Sequence, residues 1–177
     1  MGAELGATTS VFPTDERTLD YLKQQGREAD FKEMKADEDA TYDQELDVDL
    51  SALVPMTAKP HSPDAVVPVK ELEGMKVNQV VIGSCTNSSF ADMMKAAKIL
   101  KGRKVAAHVS LVIAPGSSSI LAMLSQNGAL ADMVQAGARI LECGCGPCIG
   151  MGQAPLSKGI SLRTICLLYT SPSPRDS

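Results

Sequence analysis

Apolar and polar positions change period several times in the second half of the chain. Gln79–Gly83 is a short, almost unbroken apolar run, which predicts a strand. Phe90, Met93, Met94, Ala97 and Leu100 then recur every three or four positions, predicting a helix over 88–100 that Gly102 ends. Residues 109–114 predict a second strand, closed by Pro115-Gly116. Residues 117–126 and 129–136 predict two helical pieces parted by Asn127-Gly128. Residues 138–141 predict a third strand, running directly into Cys143-Gly-Cys-Gly-Pro-Cys148. Strand–helix–strand–helix–strand is the order of a mostly parallel sheet with helices on its faces, so the fold class is α/β. Such sheets build their sites in the loops beyond the carboxyl ends of the strands. Cys85 follows the first strand and the cysteine-rich loop follows the third, so one crevice can unite them.

The pattern is weaker upstream. Phe12-Pro13-Thr14-Asp15-Glu16 reads as a turn into a helix, with Thr14 as cap, Leu19 and Leu22 on the buried stripe and Gly26 as the stop. Leu46, Val48 and Leu50 alternate with Asp47 and Asp49, which predicts a short half-buried strand. Prolines 55, 60, 63 and 68 predict an extended linker over residues 54–70, separating a first unit (1–53) from a second (71–164). Residues 1–10 are small, Gly-rich and polar, more like an internal segment than a true start. Residues 165–177 continue no helix or strand pattern and read as a disordered or artefactual tail; Cys166 is set aside with them.

Composition narrows the function classes. The formal charge is −4, and three Phe, three Tyr and no Trp leave little for stacking on bases, so no nucleic-acid partner is expected. The apolar runs are of strand length, far below the roughly 20 residues of a membrane span, and no membrane partner is expected. Residues 1–10 are neither basic nor long and apolar, unlike a signal peptide. Five cysteines, three of them within 143–148, suit thiolate ligands in a reducing compartment, so a cytoplasmic location is expected.

Cys145-x-x-Cys148 can turn two thiolates toward one metal or cluster, with Gly146 allowing unusual backbone angles and Pro147 fixing one of them. Cys85 adds a third thiol at a strand end. No fourth soft ligand is evident, since His61 lies in the linker and His108 precedes a strand. Structural zinc normally takes four protein ligands, whereas an iron–sulfur cluster can take three. Spacing alone leaves open a cluster, a redox dithiol or zinc site, and ordinary buried cysteines.

Ile82-Gly-Ser-Cys-Thr-Asn-Ser-Ser89 and Cys145-Gly-Pro-Cys-Ile-Gly150 resemble the two cluster motifs of the aconitase superfamily, in order and approximate separation. Met1-Gly-Ala-Glu-Leu-Gly-Ala-Thr-Thr-Ser-Val-Phe-Pro13 is similar to a third aconitase segment; Tyr42-Asp-Gln44 and His61-Ser-Pro-Asp64 also sit where relatives have similar residues. The resemblance covers about residues 1–164. It implies a three-layer α/β/α cluster domain, incomplete here, preceded by the C-terminal part of another α/β domain. It also implies a [4Fe–4S] cluster held by Cys85, Cys145 and Cys148, with the fourth iron acting as a Lewis acid on citrate or isocitrate. Glu4 matches the family's active-site glutamate, and Asn87 and Ser88 become candidates for hydrogen bonds to cluster sulfur or substrate, beside their ordinary roles as turn and helix cap.

The segment over residues 1–13 points to aconitase, with conversion of citrate to isocitrate through cis-aconitate in the tricarboxylic acid cycle. The alternative is a 3-isopropylmalate or homoaconitate hydratase/dehydratase, with which the Lys101-Gly-Arg-Lys104 turn is shared. An alternative of another class is a non-catalytic Fe–S or zinc binding module. The family's substrate-binding arginines, serine base and swivelling domain are not in this sequence, so a partner domain in cis or as a second subunit is expected, and the chain alone is expected to be inactive. Cys143 reads as a small buried residue, Gly116-Ser-Ser-Ser119 as an ordinary helix cap rather than an amide site for a carboxylate, Arg139 as half of a structural salt bridge, and Met93, Met94, Met123 and Met133 as core.

Overall fold

The computed structural model describes residues 6–60 and 64–165. Glu4, His61 and Cys166 lie outside the described residues. The chain divides into two compact units, Met1–Leu53 and Val54–Ser177.

In the first unit, α1 (Glu16–Gln24) is capped by Asp15 and not by Thr14. The Asp15 carboxylate accepts from the Thr18 N–H at 2.9 Å, and the Asp15 N–H donates back to the Thr18 hydroxyl at 3.4 Å. This reciprocal pair is open to Asp15 because Thr18 stands three residues on. Thr14 is used elsewhere: its hydroxyl donates to the Lys32 carbonyl at 2.9 Å and accepts from the Met34 N–H at 2.7 Å. Leu19 and Leu22 are only half-buried. The predicted strand over 46–50 does not form, and Leu46 is 88% exposed. Alternation makes a strand only where a partner edge takes its backbone bonds, and Asp49 instead accepts from the Ser51 N–H at 2.9 Å, capping a 3-10 turn at Leu50–Ala52.

The second unit begins with a correction to the linker. β1 (Met56–Ala58) and β2 (Val66–Pro68) form a small antiparallel pair, with Met56 opposite Pro68. Pro60 follows β1 and Pro68 ends β2, positions where a missing N–H costs little; Pro63 lies outside the described residues.

β3 (Gln79–Gly83), α2 (Phe90–Leu100), β4 (Ser110–Ala114), α3 (Ser118–Gln126), α4 (Ala129–Ala136), β5 (Arg139–Ile140) and β6 (Ser161–Arg163) follow. The four later strands form one parallel sheet in the order β5-β4-β3-β6. Successive crossovers carry the chain from β3 to β4 to β5 in one direction, and β6 then lies on the far side of β3. The strand order therefore reverses at β3, the position where open parallel sheets form their binding crevice.

Alternation along β3 and β4 divides the core between the sheet's two faces. Val80, Ile82, Leu111 and Ile113 join Met93, Ala97, Leu124, Ala129 and Met133 under α2, α3 and α4. Val81 and Val112 point the other way, onto Cys148 and Ile165. Helices thus cover one face, while the cysteine turn covers part of the other. The methionine stripe is half core: Met93 and Met133 are fully buried, but Met94 and Met123 are 36% and 45% exposed. Arg139 donates to the Gln153 side-chain carbonyl at 2.6 Å in place of the expected salt bridge. Among the described residues no helix is long and apolar enough to cross a membrane.

Candidate metal centre

The site starts from a constraint at the end of β3. Gly83 has φ 119°, and a Cβ there would stand 2.1 Å from the Ala114 carbonyl oxygen, so only glycine fits. Ser84 follows with φ 72°, in the left-handed region that costs a non-glycine residue about 1 kcal/mol or more. Its N–H bonds the Ala114 carbonyl at 2.8 Å, and its own carbonyl accepts from the Ser88 hydroxyl. Ser84 and Ser88 are both buried. This tight turn aims the Ser84 side chain inward and leaves Cys85 exposed.

The second loop comes from β5. Leu141 extends the pairing through its N–H to the Ile113 carbonyl at 2.8 Å. The chain then reaches Cys145 and a single 3-10 turn at Gly146–Ile149, closed by the Cys148 N–H on the Cys145 carbonyl at 3.1 Å and the Met151 N–H on the Gly146 carbonyl at 2.8 Å. Gly150 (φ 78°) and Gly152 (φ 73°) take the left-handed conformation after this turn, while Gly146, expected to allow unusual angles, has no positive φ. Cys145 is exposed, Cys143 is half-buried, and Cys148 is 1% exposed against Val81 and Val112.

The two loops meet at Ser84. Its hydroxyl shares a hydrogen bond with the Cys148 sulfur at 2.9 Å and lies 3.9 Å from the Cys85 sulfur. The Thr86 hydroxyl lies 3.7 Å from the Cys85 sulfur on its other side. The Thr86 hydroxyl foremost, and then Ser84, hold the Cys85 thiol below its usual range, and the Cys145 side chain acts in the same direction. A thiol poised toward thiolate is the form that binds metal.

The chain after β6 closes the arrangement. The Thr164 hydroxyl accepts from the Gly83 N–H at 3.0 Å, and its carbonyl accepts from the Asn87 side-chain amide. Asn87 and Ser88 therefore fix the Cys85 turn, and the helix cap is Ser89, whose hydroxyl accepts from the Asp92 N–H at 3.2 Å. Ser117 is an ordinary cap for α3, accepting from the Ile120 N–H at 3.3 Å. Arg163 is half-buried; burial pulls its guanidinium below the ordinary range and the nearby Cys148 pulls it back up.

The donor set suits an iron–sulfur group by its chemistry: three thiols, two of them with hydroxyl partners, at the reversal point of a parallel sheet. Among the described residues no three His, Cys, Asp or Glu side chains converge as a single metal ion would require. The fit rests on the kind of donor and its place in the sheet, not on a closed ligand sphere. Sequence reasoning named the cysteines, Asn87 and Ser88 but passed over Ser84, Thr86, Thr164 and Arg163. Ser84 and Thr86 flank Cys85 in the quoted motif, so a signal for them was available; Arg163 and Thr164 acquire their places only through the β3–β6 pairing.

The chain matches the aconitase family (aconitate hydratase) over residues 1–74 and 70–170. It is 46% identical over 159 residues to the 3-isopropylmalate dehydratase large subunit 2 of Archaeoglobus fulgidus, covering 90% of this chain and 38% of that one. It is 42% identical over 160 residues to the 3-isopropylmalate dehydratase large subunit of Moorella thermoacetica, with 90% and 38% covered. With the methanogen homoaconitase large subunit of Methanocaldococcus jannaschii it shares 38% identity over 179 residues, covering 97% of this chain and 42% of that one. The chain thus spans less than half the length of these relatives. With two family matches that together take in nearly all of its length, the chain belongs to the aconitase family.

Proposed function

We propose that this chain is the cluster-binding part of a hydro-lyase that removes water from, and returns it to, a small hydroxy acid of the isopropylmalate or homocitrate type. The observation that carries the proposal is the meeting of the two cysteine loops at Ser84, beyond the carboxyl end of β3. The substrate class departs from the citrate expectation. Relatives matched over nine-tenths of the chain or more are an isopropylmalate dehydratase and a homoaconitase, which support the alternative, and a role in the tricarboxylic acid cycle has no support from them. Glu4, in the segment that favoured citrate, lies outside the described residues.

In this proposal Cys85, Cys145 and Cys148 hold a [4Fe–4S] cluster. When bound, that group supplies a Lewis-acidic iron for the substrate hydroxyl. The chain's own residues do the rest of the local work. Ser84 and Thr86 offer hydroxyls to the ligand sulfurs, which withdraws electron density and holds their orientation. Val81 and Val112, packed on buried Cys148, keep water from that ligand, while Cys85 and Cys145 face the opening. Glu4 would hydrogen-bond at the substrate hydroxyl. The arginines and the acid–base serine would come from the remainder of the protein, with a swivelling domain in a second subunit, consistent with relatives described as large subunits.

The test is dehydration, followed by the absorbance of the new double bond, in the complete protein with its partner subunit. Isopropylmalate or homocitrate should turn over better than citrate. Cys85→Ser should lower kcat by more than the roughly 100-fold that loss of an outer-sphere partner costs. Citrate as the best substrate would refute the assigned class, and an unimpaired Cys85→Ser variant would refute the ligand role.

A further inference from the structure

A line of polar contacts runs from the centre of the sheet to the ligand turn, and neither cysteine motif contains its key member. Gln79 opens β3, is 2% exposed, and is paired in register with Ser161 of β6. Its side-chain carbonyl accepts from the Ser161 hydroxyl at 2.7 Å. The Ser161 oxygen in turn accepts from the Nε of Arg163 at 2.9 Å. From that fixed point the Arg163 Nη1 reaches the Pro147 carbonyl, inside the 3-10 turn, at 3.3 Å. Pro147 immediately precedes Cys148, and the same carbonyl takes the Gly150 N–H at 3.4 Å.

From this geometry we infer that Arg163 is a positioning residue for the Cys148 turn, tying the backbone of that turn to edge strand β6. A planar guanidinium can donate to Ser161 and Pro147 at once because its donors diverge in a fixed fork. A lysine at 163 would keep the charge but could not hold both acceptors in that geometry. The buried Gln79 carbonyl gives the line a rigid origin, since an unpaired buried amide oxygen would be costly. The consequence is directional: the turn's geometry depends on β6, which pairs with β3, the strand that delivers Cys85. One strand pairing therefore sets the separation of the two ligand loops. The significance of that separation rests on the proposed ligand role of Cys148.

Hydrogen exchange of the 177-residue chain reads the effect without enzyme activity. In Arg163→Gln, peptides covering residues 145–151 should exchange about tenfold faster, while those of α2 and α4 keep the wild-type rate. Arg163→Lys should loosen the turn to the same extent, because the charge alone does not restore the fork. Ser161→Ala, a smaller change, should reproduce the selective loosening even if Arg163→Gln destabilises the whole unit. Wild-type exchange over 145–151, full rescue by lysine, or equal acceleration of every peptide in Ser161→Ala overturns the inference. Iron uptake in the same samples separates the two claims. Iron bound with no Arg163 dependence of the turn refutes the positioning role alone; selective loosening without iron in the wild type refutes the cluster alone.

Discussion

Alanine at Gly83 should destabilise the second unit by about 3 kcal/mol or more, among the largest single-residue losses expected in this chain. The cause is local and double. The position has φ 119°, which an L side chain rarely adopts, and the added Cβ would stand 2.1 Å from a backbone oxygen, Ala114, that cannot swing away as a side chain would. Relief requires parting β3 from β4 at their carboxyl ends, where Ile82 pairs with Ile113 and Gly83 with Ala114. That displacement would carry Ser84 and Cys85 with it, so stability and the geometry of the proposed ligand turn should fail together. Gly144→Ala is the control, since no atom lies within 4 Å of its added Cβ and its φ is ordinary. It should change stability by no more than about 0.5 kcal/mol in the same urea titration. Equal midpoints for the two variants would refute the close approach at Gly83.

Met133→Ala should cost about 2–5 kcal/mol, the range for emptying a fully buried long side chain. Met133 is wholly buried in the cluster with Met93, Ile113 and Leu124, where helix α4 meets the sheet. Its carbonyl also accepts the Ala138 N–H at 3.1 Å, at the entry to β5. Loosening α4 therefore unsettles the strand that leads to the cysteine loop. Val134, one residue on, is 52% exposed, and Val134→Ala should fall within about 0.5 kcal/mol of wild type. Urea denaturation of both variants checks the contrast, and similar losses would contradict the placement of α4's buried face.

The sheet and its helices were legible because local and tertiary preferences agree there. The 3.6-residue recurrence from Phe90 to Leu100 and the apolar runs of β3 and β4 each name one structure, and the cysteines follow the predicted strand ends. Elements that depend on a distant partner were less legible. β6 has a single apolar residue among Ser161, Leu162 and Arg163, and exists because β3 offers an open edge. Conversely, Leu46, Val48 and Leu50 have strand alternation but no such edge, and stay exposed. Thr14 and Asp15 are both competent caps, and only the hydrogen bonds to Lys32 and Met34 explain why Thr14 is otherwise occupied. At the site, the thiols were visible from composition and spacing. Ser84's place between two sulfurs depends on a positive φ that no residue type at that position announces.

The most direct test of the central claim, that Cys85, Cys145 and Cys148 are ligands of one cluster, is iron and acid-labile sulfide analysis after anaerobic reconstitution. Wild type is measured beside Cys85→Ser, Cys145→Ser, Cys148→Ser and Cys143→Ser. Wild type and Cys143→Ser should each hold about four irons and four sulfides per chain, with loss or severe depletion in each of the other three. Wild-type chain that is folded and yet takes up no specific iron, or stoichiometry that survives all three ligand substitutions, would contradict that claim.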